Sequence, residues 1–401
     1  MNKLIFAIII LFIASLTTSM TDNDKPIMSY APTAVDTLKT AMDSLRYAYE
    51  RTPDRWPKPL LDSGVVHAEL AILPGSPLDP YRETLKPVIS LGKTLFFDPR
   101  LSASNQISCS SCHAPDLAWT DGRAVAVGHD HQRGTRNTPS VEHSWFYTSF
   151  FWDGRAASLE AQAPGPIGNP IEMHQDFEKL PAKLSKIKGY LPLFNEAFGD
   201  KKITKERIVT ALTTFERSIS KSMSDFDYFM AGSKTRLTDE QIKGLHIFRT
   251  KGNCLNCHNG PFLSDNKFHN LNTTYYKDEK RQDLGLYVVT KNPEDVGKFR
   301  TPSLRNVMQT GPWFHNGIFK DMRVVMSQYN AGMGMMGTIY RTPSKEDPLR
   351  PVVSPHIRNL SLTSEEISAV IAFLGSLSEI RGDFEFPELP EKEVKKPKPS
   401  N

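Results

Sequence analysis

The sequence predicts a mostly α fold built from two halves of similar plan joined by long connecting loops. Apolar residues recur at helical spacing in several segments, and few segments alternate as strands do. The chain's 29 prolines point to long ordered connections between the helices. An approach of helix, glycine and then a C-x-x-C-H run occurs twice, in "ISCSSCHAPD" (107–116) and "GNCLNCHNG" (252–260). A length of 401 residues is enough for two domains, each with its own core.

Taken in order, Lys3 precedes an unbroken apolar run from Leu4 to Ala14. That run is too short for a membrane span and suits the core of a secretory signal. Residues 1–20 are therefore read as a signal peptide cut near Ser19, or as an uncleaved anchor; either way the folded part is exported. No cysteine lies near the end of the run, which excludes a lipoprotein anchor there. Residues 21–85 read as a polar tether and a helical extension, with Val35, Leu38, Met42, Leu45 and Tyr49 on one helical face until "PDRWPKPL" stops it. Residues 87–102 read as a helix leading into the first motif. Residues 180–199 and 204–220 read as two amphipathic helices, the second with Thr204 and Glu206 at its start. Thr238 is a good cap for "DEQIKGLHIF" before the second motif, and Thr363 for the helix in 362–377. The halves are placed at 86–230 and 231–385, and the proline- and charge-rich tail 386–401 is expected to be disordered.

Charged residues make up 23% of the chain and the formal charge is +4, with no long basic run joined to aromatics. These features exclude nucleic acid as a partner. The four cysteines all lie in the two repeated runs. In an oxidising compartment they would ordinarily suggest two disulfides. A disulfide inside each C-x-x-C leaves the following histidine unexplained, twice. A Cys₄ zinc site would leave both histidines idle. Covalent c-type haem uses every residue: Cys109 and Cys112, then Cys254 and Cys257, as thioether tethers, with His113 and His258 as proximal iron ligands. The two halves then become two cytochrome c-like haem domains.

Further motifs extend the haem reading. "GHDHQRGTRNTPS", "FFWDGRAASLEAQAPGPIGNPIEM", "RTPSLRNV" and "TGPWFHNG" together resemble the bacterial di-haem cytochrome c peroxidases and their relatives, which include the enzyme that matures the tryptophan-derived cofactor of methylamine dehydrogenase. The resemblance runs from about Pro87 to Leu377. It implies a peroxidatic first haem domain and an electron-transfer second one. Glu172 in "GPIGNPIEM" would be the acid–base of peroxide cleavage, since O–O heterolysis needs a proton moved between the two oxygens. Pro166 and Gln162 would share its face of the first haem. Trp152 would relay electrons between the haems. His129, or its neighbour His131, would cap the first iron in the resting oxidised state.

The same resemblance places Tyr329 at the second iron, where the peroxidases have a methionine and the maturation enzyme a tyrosine. Met326, Met333, Met335 and Met336 lie close enough in sequence to compete. Thioether ligation raises an iron potential, whereas phenolate oxygen favours higher oxidation states. Asn137, with the carbonyls of Thr310 and Pro312, would bind one calcium ion. The implied function is a periplasmic peroxidase that reduces hydrogen peroxide to water. Its electrons would come from a small donor protein of the cytochrome c or cupredoxin type, and a homodimer is compatible with it. The alternatives are a maturation-type oxidase acting on residues of a partner protein, and a two-haem electron carrier with no use for Glu172.

Overall fold

The computed structural model of the chain describes residues 34–219 and 222–392. The chain divides into two units, 1–41 and 42–401. Of the first, residues 34–41 are described, as the opening turns of α1 (Ala34–Glu50). The signal segment 1–20 lies outside the described residues. All that follows concerns the second unit.

Helices dominate it. The first half of the chain contributes α2 (Lys86–Phe97), α3 (Leu159–Gln162), α4 (Pro164–Gly168), α5 (Leu180–Ser185), α6 (Tyr190–Phe198) and α7 (Lys205–Ser218). The second contributes α8 (Asp225–Met230), α9 (Asp239–Arg249), α10 (Tyr287–Thr290), α11 (Met322–Asn330) and α12 (Ser364–Ser376). Among the described residues the one sheet is a short antiparallel pair, β1 (Phe268–Asn270) and β2 (Lys298–Arg300), with His269 opposite Phe299.

Two glycines set how the main helices meet. A Cβ on Gly92 of α2 would stand 1.9 Å from the Ala211 carbonyl oxygen and 2.8 Å from Phe215 Cβ, both on α7. Gly244 of α9 repeats this against α12, 1.9 Å from the Ala369 carbonyl oxygen and 2.8 Å from Phe373 Cβ. The absent side chain lets each pair of helices approach at backbone distance. Around the first crossing Leu91, Leu95, Phe96, Leu212 and Phe215 form one buried core with Tyr190 and Phe194 of α6. Around the second, Leu245, Phe248, Val370 and Phe373 form another with Phe226 and Phe229 of α8. Each such large apolar side chain contributes about 1.5–3 kcal/mol when fully buried. The repeat seen in sequence is thus a repeat of packing.

The caps expected at Thr238 and Thr363 are made, and Thr204 caps α7 as well. Thr204 Oγ1 accepts from the Arg207 N–H. Thr238 and Gln241 form a reciprocal pair at the start of α9, as do Thr363 and Glu366 at the start of α12. Two helix boundaries differ. The helix expected over 87–102 ends at Phe97, where Asp98 turns the chain and accepts from the Arg100 N–H, and Pro99 opens a separate turn. The stretch 180–199 is two helices. Pro192 has no N–H to bond the Lys188 carbonyl, and its ring would collide with that carbonyl in a continuous helix.

That break is also where the tail docks. The N–H groups of Lys188 and Gly189 donate to the carbonyls of Lys392 and Glu391 at 3.0 and 3.2 Å, and Arg100 Nη1 donates to the Pro390 carbonyl at 2.8 Å. Phe384 stacks on Phe97 at 5.3 Å. The expectation of disorder from residue 386 is therefore corrected: residues 386–392 form a docked strap, because backbone pairing and aromatic contact offset their polar composition. From residue 42 onward the N-terminal extension is likewise no loose arm. Buried Arg249 of α9 donates to Tyr49 Oη, the Pro57 carbonyl and Glu69. Asn256 within the second C-x-x-C-H and Gly260 just after it bond the backbone of Asp62 and Ala68.

Gly92→Ala and Gly244→Ala should each destabilise the protein by at least about 1–3 kcal/mol, the usual cost of overpacking. Gly375→Ala in α12, where an added Cβ meets nothing within 4 Å, should be stabilising by about 0.5–1 kcal/mol. Denaturant melts of the three variants check both signs.

Candidate functional site

Each C-x-x-C-H run folds as a single tight turn. The N–H groups of Cys112 and His113 both bond the Cys109 carbonyl, at 3.1 and 2.9 Å, and those of Cys257 and His258 bond the Cys254 carbonyl, at 3.2 and 2.9 Å. His113 Nδ1 lies 3.1 Å from the Trp119 carbonyl oxygen and His258 Nδ1 lies 3.0 Å from that of Leu263. A carbonyl only accepts, so Nδ1 carries the proton in both rings and Nε2 keeps its lone pair. Both carbonyls belong to residues held in the left-handed region, Trp119 at φ 60 and Leu263 at φ 51. Such a conformation in a large side chain costs about 1–3 kcal/mol and persists where the surroundings fix it. Burial lowers the pKa of both histidines, so the neutral rings are favoured.

The thiols point the same way. Cys109, Cys112 and His113 line one cleft, and Cys254, Cys257 and His258 line another. Burial pushes the thiols of Cys112 and Cys254 up to about 12 and raises those of Cys109 and Cys257 further. A protonated thiol is a poor nucleophile, which does not suit thiol redox chemistry. The two pairs face different clefts, which removes a shared Cys₄ zinc site. Two thiols and one lone-pair imidazole nitrogen on the wall of an apolar cleft fit a covalently tethered haem, twice.

The first cleft also takes its wall from Gln162 of α3, Pro166 of α4 and Glu172. Ser158 caps α3 by accepting from the Ala161 N–H. Burial raises the pKa of Glu172, opposed by nearby Arg155 and by the bond that Asn169 Nδ2 donates to Oε1 at 2.8 Å. His129 does not line this cleft. Its ring packs edge-on against His174 at 4.6 Å, with Nε2 3.4 Å from Asp130, while His131 is exposed. Neither histidine lines the cleft in this conformation, and Asp130 and His131 are left-handed (φ 51 and 58). The loop touches the site through its backbone instead: the His129 N–H donates to the Glu172 carbonyl at 2.8 Å.

In the second cleft α11 presents Met322, Val325, Met326 and Tyr329. The Tyr329 ring stacks on Phe314 at 6.1 Å, and no described residue hydrogen-bonds its hydroxyl. Burial beside Cys254 and Cys257 holds that phenol well above its ordinary value. Of the competing methionines, Met326 lines the cleft. Met333 and Met336 do not line it but belong to a small cluster that packs against Tyr329 and Phe314, and Met335 is 68% exposed.

Seven residues line both clefts: Asn137, Thr138, Pro139, Ser140, Tyr147, Trp152 and Arg300. Trp152 Nε1 donates to the Asn137 carbonyl at 2.8 Å. Asn137 Nδ2 donates to the Arg123 carbonyl at 2.9 Å, which leaves Oδ1 as a free acceptor. Thr310 and Pro312 line the second cleft with Asn137.

Comparison with known proteins follows this geometry. Residues 86–235 match the sequence profile of the di-haem cytochrome c peroxidases. A cytochrome-c peroxidase of Denitromonas iodatirespirans is 34% identical over 77% of this chain and 86% of its own length. The methylamine utilization protein MauG of Methylophilus methylotrophus is 34% identical over 75% of this chain and 85% of its own. The chain belongs to the di-haem cytochrome c peroxidase family. A solved structure of a MauG-like protein associated with microbial copper homeostasis covers 80% of this chain and 93% of its own, at 26% identity and a TM-score of 0.65. Membership makes this an oxidoreductase of a family that carries two c-type haems.

Two site residues of this di-haem chain escaped the sequence reading. Arg300 stands in the quoted "RTPSLRNV", yet its place between the clefts comes from β2 pairing with β1. Glu216 lines the first cleft from α7, buried, with its carboxyl raised to about 8 by burial. The available signal was an acid on the apolar stripe Ile208, Leu212, Phe215. A carboxyl whose pKa rises from near 4.5 to about 8 on folding favours the folded state fully below 4.5 and loses that contribution as pH rises through 8. Stability should therefore fall between pH 5 and 8, and Glu216→Gln should flatten that slope in denaturant melts. A flat wild-type profile would show that the carboxyl is ionised in the folded protein.

Proposed function

We propose that this protein is an exported di-haem peroxidase that reduces hydrogen peroxide to water in the His113 cleft. Two electrons and two protons convert each peroxide into two waters. The electrons enter through the His258 cleft from a small donor protein of the cytochrome c or cupredoxin type. When bound, the haems supply the iron that takes up peroxide and passes electrons. Cys109, Cys112 and His113 would hold the first, and Cys254, Cys257, His258 and Tyr329 the second. The protein is read as periplasmic; no helix among the described residues is long and apolar enough to cross a membrane. Asn137 Oδ1 and the carbonyls of Thr310 and Pro312 would hold one calcium ion, oxygen donors that suit it.

The observation that carries the reading is Glu172, a half-buried carboxyl with a raised pKa on the wall of the cleft that holds Cys109, Cys112 and His113. A carboxyl tuned upward takes a proton from one peroxide oxygen and returns it to the other more readily than one of ordinary pKa. Asn169 holds Oε1, which leaves Oε2 for that transfer. Gln162 and Pro166 shape the same wall. The electron-carrier alternative has no use for this group. Glu172→Gln should leave both haems attached and reducible and slow peroxide turnover by roughly two to four orders of magnitude. Unchanged turnover would remove Glu172 from the reaction.

Tyr329 favours a second reading, in which the same haems oxidise residues of a partner protein. Its hydroxyl has no partner among the described residues and its ring lies in the second cleft. As an iron ligand, phenol oxygen would make the second haem a poor store of electrons. Tyr329→Met should raise the midpoint potential of that haem and Tyr329→Phe should change its spectrum. If Tyr329→Phe leaves the spectrum untouched, Met326, which shares the cleft, is the ligand and the peroxidase reading stands alone.

A further inference from the structure

Five arginines line the two clefts: Arg136, Arg155, Arg300, Arg305 and Arg358. Four of them meet carboxylates of this chain. Arg136 pairs with Asp153 and Asp283, Arg155 with Asp153, Arg305 with Asp227, and Arg358 with Asp62. Arg300 alone of the five has no carboxylate within ion-pair distance among the described residues. It is also 3% exposed, and its Nη1 is buried without any hydrogen-bond partner. Its side chain makes one long bond, from Nε to the Phe151 carbonyl at 3.5 Å. The guanidinium otherwise lies over the Tyr147 ring at 3.7 Å. Cation–π attraction of that kind, worth about 2 kcal/mol when desolvated, does not neutralise the charge. A buried, unpaired cation is costly enough that proteins rarely keep one without an anion.

The anion is therefore to be sought in the clefts, and Arg300 lines both of them. We propose that Arg300 is a shared carboxylate anchor: its guanidinium pairs with a haem carboxylate from each cleft and raises the reduction potential of both haems together. The planar fork of a guanidinium accommodates more than one carboxylate oxygen, which a lysine ammonium does less well. The position also couples the anchor to the wall between the clefts, since the Arg300 N–H donates to the Trp152 carbonyl at 2.9 Å. Arg300 is a positioning residue, acting on charge and geometry rather than on peroxide. The inference rests on the two-haem reading above.

The test is a redox titration of the exported holoprotein carrying Arg300→Gln, followed optically and by EPR, with haem-to-protein stoichiometry measured first. Loss of the cation leaves two carboxylates unpaired beside the irons and disfavours the added electron at each. Both midpoint potentials should fall, by roughly tenfold in each one-electron equilibrium, or 59 mV. Arg300→Lys keeps the charge and loses the fork. It should move both potentials in the same direction by less, and it serves as the test if the glutamine variant does not accumulate. A shift confined to one haem, or none in either variant, overturns the shared anchor. The measurement uses no peroxide, so a wild type that holds two haems and fails to turn over peroxide would sink the peroxidase reading and leave this one standing.

Discussion

Trp152 donates its indole N–H to the carbonyl of Asn137, and that bond closes a wall facing both clefts. On one side of the wall stand Cys109, Cys112 and His113; on the other stand Cys254, Cys257 and His258. Asn137 is held in turn by its own N–H on the His315 carbonyl at 2.7 Å, and Trp152 by the Arg300 N–H. Remove the wall and two similar helix crossings remain, each with a haem motif. With it, the two motifs share side chains, one of them a tryptophan, whose ring can carry an electron where an aliphatic side chain cannot.

Each side is then distinguished by the residues that line it alone. The first cleft offers titratable oxygen, from Glu172 and Glu216, both shifted upward by burial. The second offers a phenol and thioethers from α11, beside Glu142, His143 and His269. Left-handed Trp119 and Leu263 fix the two imidazoles in the same way, through backbone carbonyls, so the difference between the clefts lies in the rest of their linings. The C-terminal strap bears on this geometry as well: Phe384 meets the Trp119 ring edge-on at 5.3 Å, on the residue whose carbonyl orients His113.

Local features were legible in the sequence. C-x-x-C-H turns, the threonine caps of α7, α9 and α12, and the amphipathic stripes are each set by residues within one or two turns of one another. Features fixed by distant contacts were not. Asp130 is left-handed and His129 packs against His174, and nothing in "GHDHQRG" announces either. The role of Gly189 appears only once the Glu391 backbone lies against it. The close approach at Gly92 and Gly244 shows only once the partner carbonyls are placed 1.9 Å from where a Cβ would sit. Arg300 needed two strands, remote in sequence, to come between two clefts.

The claim that the clefts work as one redox unit through the shared wall is tested most directly by the rate of electron transfer between them. One electron delivered by pulse radiolysis to the second haem of the fully oxidised protein can be followed optically as it arrives at the first. The account predicts that Trp152→Phe, with both haems attached and both potentials unchanged, slows that arrival by orders of magnitude. An arrival rate equal to the wild type's would mean that electrons cross elsewhere and that Trp152 is only part of the packing.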